Sequence, residues 1–399
     1  MISNRLRLFA ALAVSTSPSL AQGQGQFPVI VVFADNARFQ DFATLYRPDQ
    51  RAAANPPAWA YVNRGVAGAV QYLERRGGFQ AEHVFSHSIR GFAARLTTRQ
   101  IQDLENDTLV RYIEPDGMMS INAQTLPWGI DRIDADISST VAGDGTGAVT
   151  SVNVYIIDTG VDKSHLDLNV VNHVNFANGP NDDCNGHGTH VAGTVAAKDN
   201  AIDVVGVIPG APVIGVKVLG CSGSGTTSGV LKGIDYVTAN AKKPAVANLS
   251  LGGGASTAMD DAVKNSADSG VFYSVAAGNS GDDACKYSPA RAGTKDGVLS
   301  VAAIDTSNNE PSFSNFGNCV DVWAPGVNIL STRKGGGTTT LSGTSMATPH
   351  GTGTAGLYLS SNALASPVAV ENALKADVKS TGTISKDGTA IRLLQAGKY

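Results

Sequence analysis

Charge is what this 399-residue sequence has least of: Asp, Glu, Lys and Arg make up 16% of it, where about a quarter is usual. Its formal net charge is −4, and 30 Lys and Arg against 34 Asp and Glu leave no basic excess for a nucleic acid or another polyanion. Long apolar runs are missing too. None approaches the roughly 18 residues that a membrane-spanning helix requires, so no membrane partner is expected. Cysteine is limited to four, with no C-x-x-C pair, which argues against zinc. An even count suits disulfides in an oxidising compartment, with three connectivities open. Glycine is abundant instead, at 45 residues, and the chain reads as a compact, turn-rich globular protein long enough for more than one domain.

The segment Gly343-Thr344-Ser345-Met346-Ala347-Thr348-Pro349-His350 places a serine at a glycine-tight turn that opens a small-residue helix. The first N–H groups of a helix lack intrahelical partners, so the Ser345 amide can donate to an oxyanion formed beside its own hydroxyl. Pro349 is expected in the first turn, where a missing N–H costs nothing. Alone, such a turn is more often an ordinary Ser/Thr cap.

Two other segments change that weighting. The β-branched run Val152 to Ile157 predicts a buried strand ending in Asp158-Thr159-Gly160, and Asn185-Gly186-His187-Gly188-Thr189-His190 puts a histidine at the mouth of a helix. A hydroxyl becomes a useful nucleophile when a neutral imidazole takes its proton, and a carboxylate fixes that ring's tautomer. Asp158, His187 and Ser345 are the candidates. The run Ser274 to Asn279 predicts a strand whose end delivers Asn279 as a second oxyanion donor. His190 lacks the H-E-x-x-H glutamate of a zinc site and is expected to be structural.

The chain order Asp158, His187, Ser345 is that of subtilisin and neither that of chymotrypsin nor that of the α/β-hydrolases. With Ile157-Asp158-Thr159-Gly160, His187-Gly188-Thr189-His190, Asn248-Leu249-Ser250-Leu251-Gly252-Gly253, Ala277-Gly278-Asn279 and Gly343 to His350, the chain from about Pro127 onward resembles the subtilases, specifically proteinase K-like enzymes of the aqualysin kind. One departure is Gly351-Thr352-Gly353, where that family usually carries Val-Ala-Gly. The resemblance implies disulfides Cys184–Cys221 and Cys285–Cys319. It also implies calcium, as a structural cofactor only, near Asp131 and Asp134 and at Asp321, although the segment 292–297 is longer than its family counterpart.

From residue 152 onward apolar strand-like runs alternate with helix-like stretches, which predicts a mostly parallel sheet covered on both faces. Strands are expected near 152–157, 213–218, 245–250, 271–276 and 298–303, and helices near 187–197, 226–240, 257–268 and 345–360. The fold class is therefore α/β, a subtilisin-like three-layer fold. Gly223-Ser224-Gly225 and Ser250-Leu251-Gly252-Gly253 read as two low-bulk backbone edges between which an extended protein or peptide substrate could add as a strand. Small residues at Ala276, Ala277 and Gly278 beside Leu251 leave room for a large apolar side chain before the scissile bond.

Residues 28–116 form a separate unit with strand, helix, strand, strand, helix and strand signals in that order, a ferredoxin-like α+β pattern. It resembles a subtilase propeptide through Gly91-Phe92-Ala93-Ala94 and Tyr112-Ile113-Glu114, which implies an intramolecular chaperone and inhibitor cut off between Asp116 and Gln124. Before it, Arg5 and Arg7, the run Leu8 to Val14 and Ser19-Leu20-Ala21 read as a secretion signal. The expected layout is signal 1–21, propeptide 22–121 and catalytic domain 122–399, in a secreted, extracellular monomer. Two alternatives remain in view. Asp158-Thr159-Gly160 and Asp268-Ser269-Gly270 both fit the D-T/S-G signature of aspartic proteases, though the second reads as a helix cap. The other alternative is a peptide-binding pseudoprotease.

Overall fold

The structure, a computed structural model, describes residues 25–47, 64–117 and 124–399. The expected signal, residues 58–63 of the helix that the apolar spacing predicts over 58–76, and most of the expected cleavage segment lie outside them. The chain divides into two compact units, Met1–Ser120 and Ile121–Tyr399.

In the first unit the elements are β1 (Gln26–Phe33), α1 (Arg64–Gly77), β2 (Ala81–Phe85), β3 (Gly91–Thr97), α2 (Thr98–Glu105) and β4 (Val110–Pro115). The strands pair antiparallel in the order β2-β3-β1-β4, the ferredoxin-like arrangement expected. Val29, Val31 and Phe33 alternate inward from β1 and meet Val66, Val70 and Leu73, spaced four and three apart on α1. Thr97 and Gln100 close a capping box at the start of α2.

The second unit begins with a short helix, α3 (Trp128–Arg132), and continues through β5 (Asn153–Asp158), β6 (Val170–Asn175), α4 (His187–Ala196) and β7 (Val213–Lys217). Then come α5 (Thr227–Asn240), β8 (Ala245–Leu249), β9 (Gly253–Gly254), α6 (Thr257–Asp268), β10 (Phe272–Ala276), β11 (Tyr287–Ser288) and β12 (Val298–Ile304). The remainder is β13 (Val322–Pro325), the β14–β15 hairpin (Ile329–Thr332, Thr338–Leu341), α7 (Thr344–Ser361), α8 (Pro367–Ala376), β16 (Lys379–Ile384) and β17 (Ala390–Leu393).

Nine strands form the main sheet in the order β16-β17-β13-β12-β10-β8-β5-β7-β6, parallel throughout except for β16–β17. Both faces are covered. Val154 and Ile156 of β5 join the core with Val191 and Val195 of α4, Met346 and Leu357 of α7 and Leu374 of α8. Tyr155 and Ile157 point the other way, toward Ile234 of α5 and Val263 of α6. Three layers result, as the sequence predicts.

The chain runs from β5 outward through β6 and β7, then returns to β5's other side as β8. That reversal opens a crevice at the carboxyl ends of β5 and β8, the place where open parallel sheets hold their ligands. Asp158 closes β5, and Ser250 directly follows β8.

Candidate active site

Asp158 is fully buried, and its Oδ1 accepts from the Thr159 amide at 2.7 Å and pairs with His187 Nδ1 at 2.8 Å. His187 is the first residue of α4. For the helix to start this close to the β5 turn it must carry glycine next, since a Cβ on Gly188 would lie 2.0 Å from the Gly160 carbonyl oxygen.

A buried charge network fixes this half of the site. Asp183 accepts from the Gly186 amide, from the Thr189 amide and hydroxyl, and from Thr159 Oγ1, while Thr159 Oγ1 accepts from the Gly188 amide. An anionic side chain thus caps α4 and is tied to the residue after Asp158. Lys217, wholly buried at the end of β7, donates to the carbonyls of Thr159 at 2.6 Å and Leu219 at 2.9 Å. The Cys184–Cys221 disulfide and the bond from Asn185 Nδ2 to the Cys221 carbonyl anchor the loop before His187 to the loop after β7.

These charges set the protonation of the His187 ring. Burial works against a protonated His187, but the Asp158 carboxylate, with a smaller share from Asp183, outweighs it and holds the ring above its ordinary pKa of 6.5. Burial pulls Lys217 below the usual lysine range, with Asp183, Asp158 and Asp182 opposing. His190 is the opposite case: burial takes it down to about 4, and its Nε2 meets the Ile329 carbonyl at 3.0 Å, a neutral structural histidine as expected.

Ser345 is the second residue of α7, and Gly343 turns into the helix at φ 156°, a conformation open essentially to glycine alone. Pro349 does not lie in the first turn, as the sequence led us to expect. It is the sixth helical residue, so the amide that would bond the Ser345 carbonyl is missing. Ser250 Oγ takes that carbonyl instead, at 2.8 Å, and Ser345 Oγ donates back to the Ser250 carbonyl at 3.2 Å. Behind this clasp Thr352 Oγ1 donates to Asn248 Oδ1, and Asn248 Nδ2 to Ser250 Oγ. The Gly351-Thr352-Gly353 departure acquires a reason here. A Cβ on Gly351 would lie 2.7 Å from Ser274 Oγ, and the Thr352 hydroxyl is needed for Asn248.

Asn279 lies three residues beyond β10 rather than at the strand's end. Its Oδ1 accepts from the Thr344 amide at 2.8 Å and from Thr344 Oγ1 at 2.9 Å. A backbone N–H can only donate, so the side-chain orientation is decided and Nδ2 is the end left to donate.

One cleft serves both halves. A stretch of about 390 Å³ is lined by His187, Gly223, Ser224, Gly225, Leu251 and Gly252, and a second of about 360 Å³ by Ala277, Gly278, Asn279, Tyr287 and Ser345. They share the segment 251–254. Asp158 and His187 are joined by a hydrogen bond, and the Ser345 hydroxyl donates to the Ser250 carbonyl. Gly253–Gly254 is already paired along one edge with Tyr287–Ser288.

Sequence reasoning missed Thr159, Asp183, Lys217, Asn248 and Thr344. Asp183, four residues before His187, carried a helix-cap signal that could have found it.

Both expected disulfides form, Cys184–Cys221 and Cys285–Cys319. Asp268 ends α6 and pairs with Lys295, and Gly270 has φ 97°, so the second D-S-G is a helix terminus and not half of a carboxylate dyad. At Asp321 the calcium expectation does not fit. Both Asp321 carboxylate oxygens are engaged, by Lys375 Nζ and by the Ser300 amide. Asp131 lies in α3, and Asp134 lies two residues beyond its end at φ 62°.

Comparison with known proteins gives a subtilase-family match over residues 150–389 and a peptidase inhibitor I9 match over residues 28–122. The alkaline serine exoprotease A of Vibrio alginolyticus is 42% identical over 93% of this chain and 70% of its own. The extracellular serine proteinase of a Thermus species is 42% identical over 74% of this chain and 73% of its own. The crystal structure of a cold adapted subtilisin-like serine proteinase superposes with a TM-score of 0.60 at 43% identity, covering 67% of this chain and 97% of that one.

Proposed function

Because this chain belongs to the subtilase family and is a serine peptidase preceded by an I9 inhibitor unit, we propose that Asp158, His187 and Ser345 are its catalytic triad and Asn279 its oxyanion donor. The observation that carries this reading is the 2.8 Å contact between His187 Nδ1 and a buried Asp158, at the crevice that Ser345 and Asn279 also line.

In the proposed cycle His187 Nε2 takes the Ser345 proton as Oγ adds to the scissile carbonyl. The Ser345 amide and Asn279 Nδ2 donate to the resulting oxyanion. His187 then protonates the departing amine, leaving an acyl group on Ser345. Water repeats the sequence and frees the acid. The raised His187 pKa means that the neutral base accumulates only above the ordinary imidazole range, so activity is expected to rise toward alkaline pH.

The substrate is proposed to be protein, cut with broad specificity. Backbone of Gly223 to Gly225 and of 250–253 would hold it by main-chain bonds, and the space beside Ala276, Ala277 and Gly278 favours a large apolar residue before the cut. Residues 1–21 would direct secretion. The I9 unit would assist folding of the slow, long-range parallel sheet and inhibit the enzyme until cleavage between residues 116 and 124. An extracellular role agrees with the chain's likeness to the extracellular serine proteinase of Thermus.

Turnover of casein tests the reading. The wild type is expected to hydrolyse it and Ser345→Ala is not; equal turnover by both would refute the assignment. Intact mass is expected to show a chain shortened at its N-terminus in the active form and full length in Ser345→Ala.

A further inference from the structure

The strongest charge cluster outside the cleft joins Asp321, just before β13, to Glu371 and Lys375, one turn apart on α8. Lys375 Nζ lies 2.8 Å from Asp321 Oδ1 and 3.0 Å from Glu371 Oε1. The other oxygen of each carboxylate accepts a backbone amide, Ser300 for Asp321 and Gly297 for Glu371. Both carboxylates are almost completely buried, with 8% and 3% of their side chains exposed, whereas Lys375 enters from the surface at 34%. Even the Asp321 carbonyl faces a cation, Arg392 Nη2, at 3.4 Å.

A calcium ion needs six to eight oxygens whose lone pairs point at it from 2.3–2.6 Å. Here all four carboxylate oxygens face N–H donors, and an ammonium already lies between the two groups. A divalent ion would have to displace Lys375 or sit against it, at a steep cost in like-charge repulsion. Two buried carboxylates without a cation are equally untenable.

We propose that the Lys375 ammonium is the resident cation of the Asp321–Glu371 pair, standing where the family resemblance implies calcium, so that this part of the catalytic unit is held together without a divalent ion. The lysine ties α8 to the loop before β13, and Glu371, by accepting from the Gly297 amide, ties α8 to the segment before β12. That is the cross-link a bound metal would supply.

The test uses the full chain carrying Ser345→Ala, which keeps the preparation from digesting itself, and reads bound calcium by equilibrium dialysis and unfolding by calorimetry. Asp321→Asn in that background, which retains the Lys375–Glu371 contact and so should fold, is expected to bind as many calcium ions per chain as its parent. Lys375→Ala is expected to unfold on the order of 10 °C lower in chelator, because it strands two buried carboxylates. Should Lys375→Ala not fold, the uncharged combination Lys375→Met, Asp321→Asn, Glu371→Gln is expected to fold, since buried ion groups exchange well for neutral ones of like shape. One calcium fewer on Asp321→Asn, or a Lys375→Ala chain that melts with its parent, would overturn the proposal.

Discussion

The two halves of the cleft are held by different physics. Around Asp158 and His187 the supports are charged: Asp183 caps the helix, Lys217 bridges two carbonyls, and a disulfide pins the loop. Around Ser345 and Asn279 they are neutral: hydroxyls and amides of Ser250, Asn248, Thr352 and Thr344, with glycines that let α7 approach the sheet. A base must have its pKa set, and buried charges do that at close range. An oxyanion donor must only point correctly, and directional neutral bonds suffice. The difference predicts that damage to the first half will show in pH profiles and damage to the second in turnover at fixed pH.

The largest effect is expected from Asp158→Asn, which keeps the shape but not the charge. Turnover should fall about ten-thousandfold, as in other serine triads, while thermal unfolding stays near that of the wild type. Next is Asn279→Leu, with turnover down about a hundred- to a thousandfold, a range known from this donor in subtilisin itself, and KM little changed. If KM rises instead, Asn279 is a substrate contact and not a transition-state donor.

Smaller changes separate the halves. Asp183→Asn removes a charge that raises the His187 pKa, so the acid limb of kcat/KM should move to lower pH. Lys217→Met removes the counter-charge to Asp183 and Asp158, and the limb should move to higher pH. The sign is checkable: the protonated ring is the inactive form, so a lower pKa exposes active enzyme at lower pH. Ser250→Ala should leave the pH profile in place and cost about 1–2 kcal/mol of stability, because the Ser345 carbonyl that Pro349 cannot serve loses its donor, the Ser250 hydroxyl. A shifted profile in Ser250→Ala would erase the contrast.

Much of this was legible in the sequence because the signals were local. The run Val152 to Ile157 is apolar at every position but Asn153, as a strand buried on both faces must nearly be, and it appears as β5. Helices α4 to α7 begin and end within a residue or two of expectation. Val170–Asn175 was missed as a strand because it lies at the sheet's edge, exposes Val171 and Asn172, and buries a polar His173. Lys379–Ile384, a Ser, Thr and Gly-rich edge strand, gave no apolar pattern either. At the site, Asp158 and His187 could be read from motifs, but Lys217 could not. It looks like a surface charge at the end of an apolar run, and only the sheet brings it under Thr159. Pro349 misled for a related reason: its place in the helix depends on Ser250, 99 residues earlier, to satisfy the carbonyl it leaves open.

The central claim is that the Ser345 hydroxyl is activated by His187 under the direction of Asp158. Inactivation by a sulfonyl fluoride, followed by peptide mass analysis across pH, tests it most directly. The account predicts one sulfonyl group per chain, on Ser345, added at a rate that climbs as His187 loses its proton and collapses in His187→Ala. Labelling at another residue, or of Ser345 at an undiminished rate without His187, would contradict it.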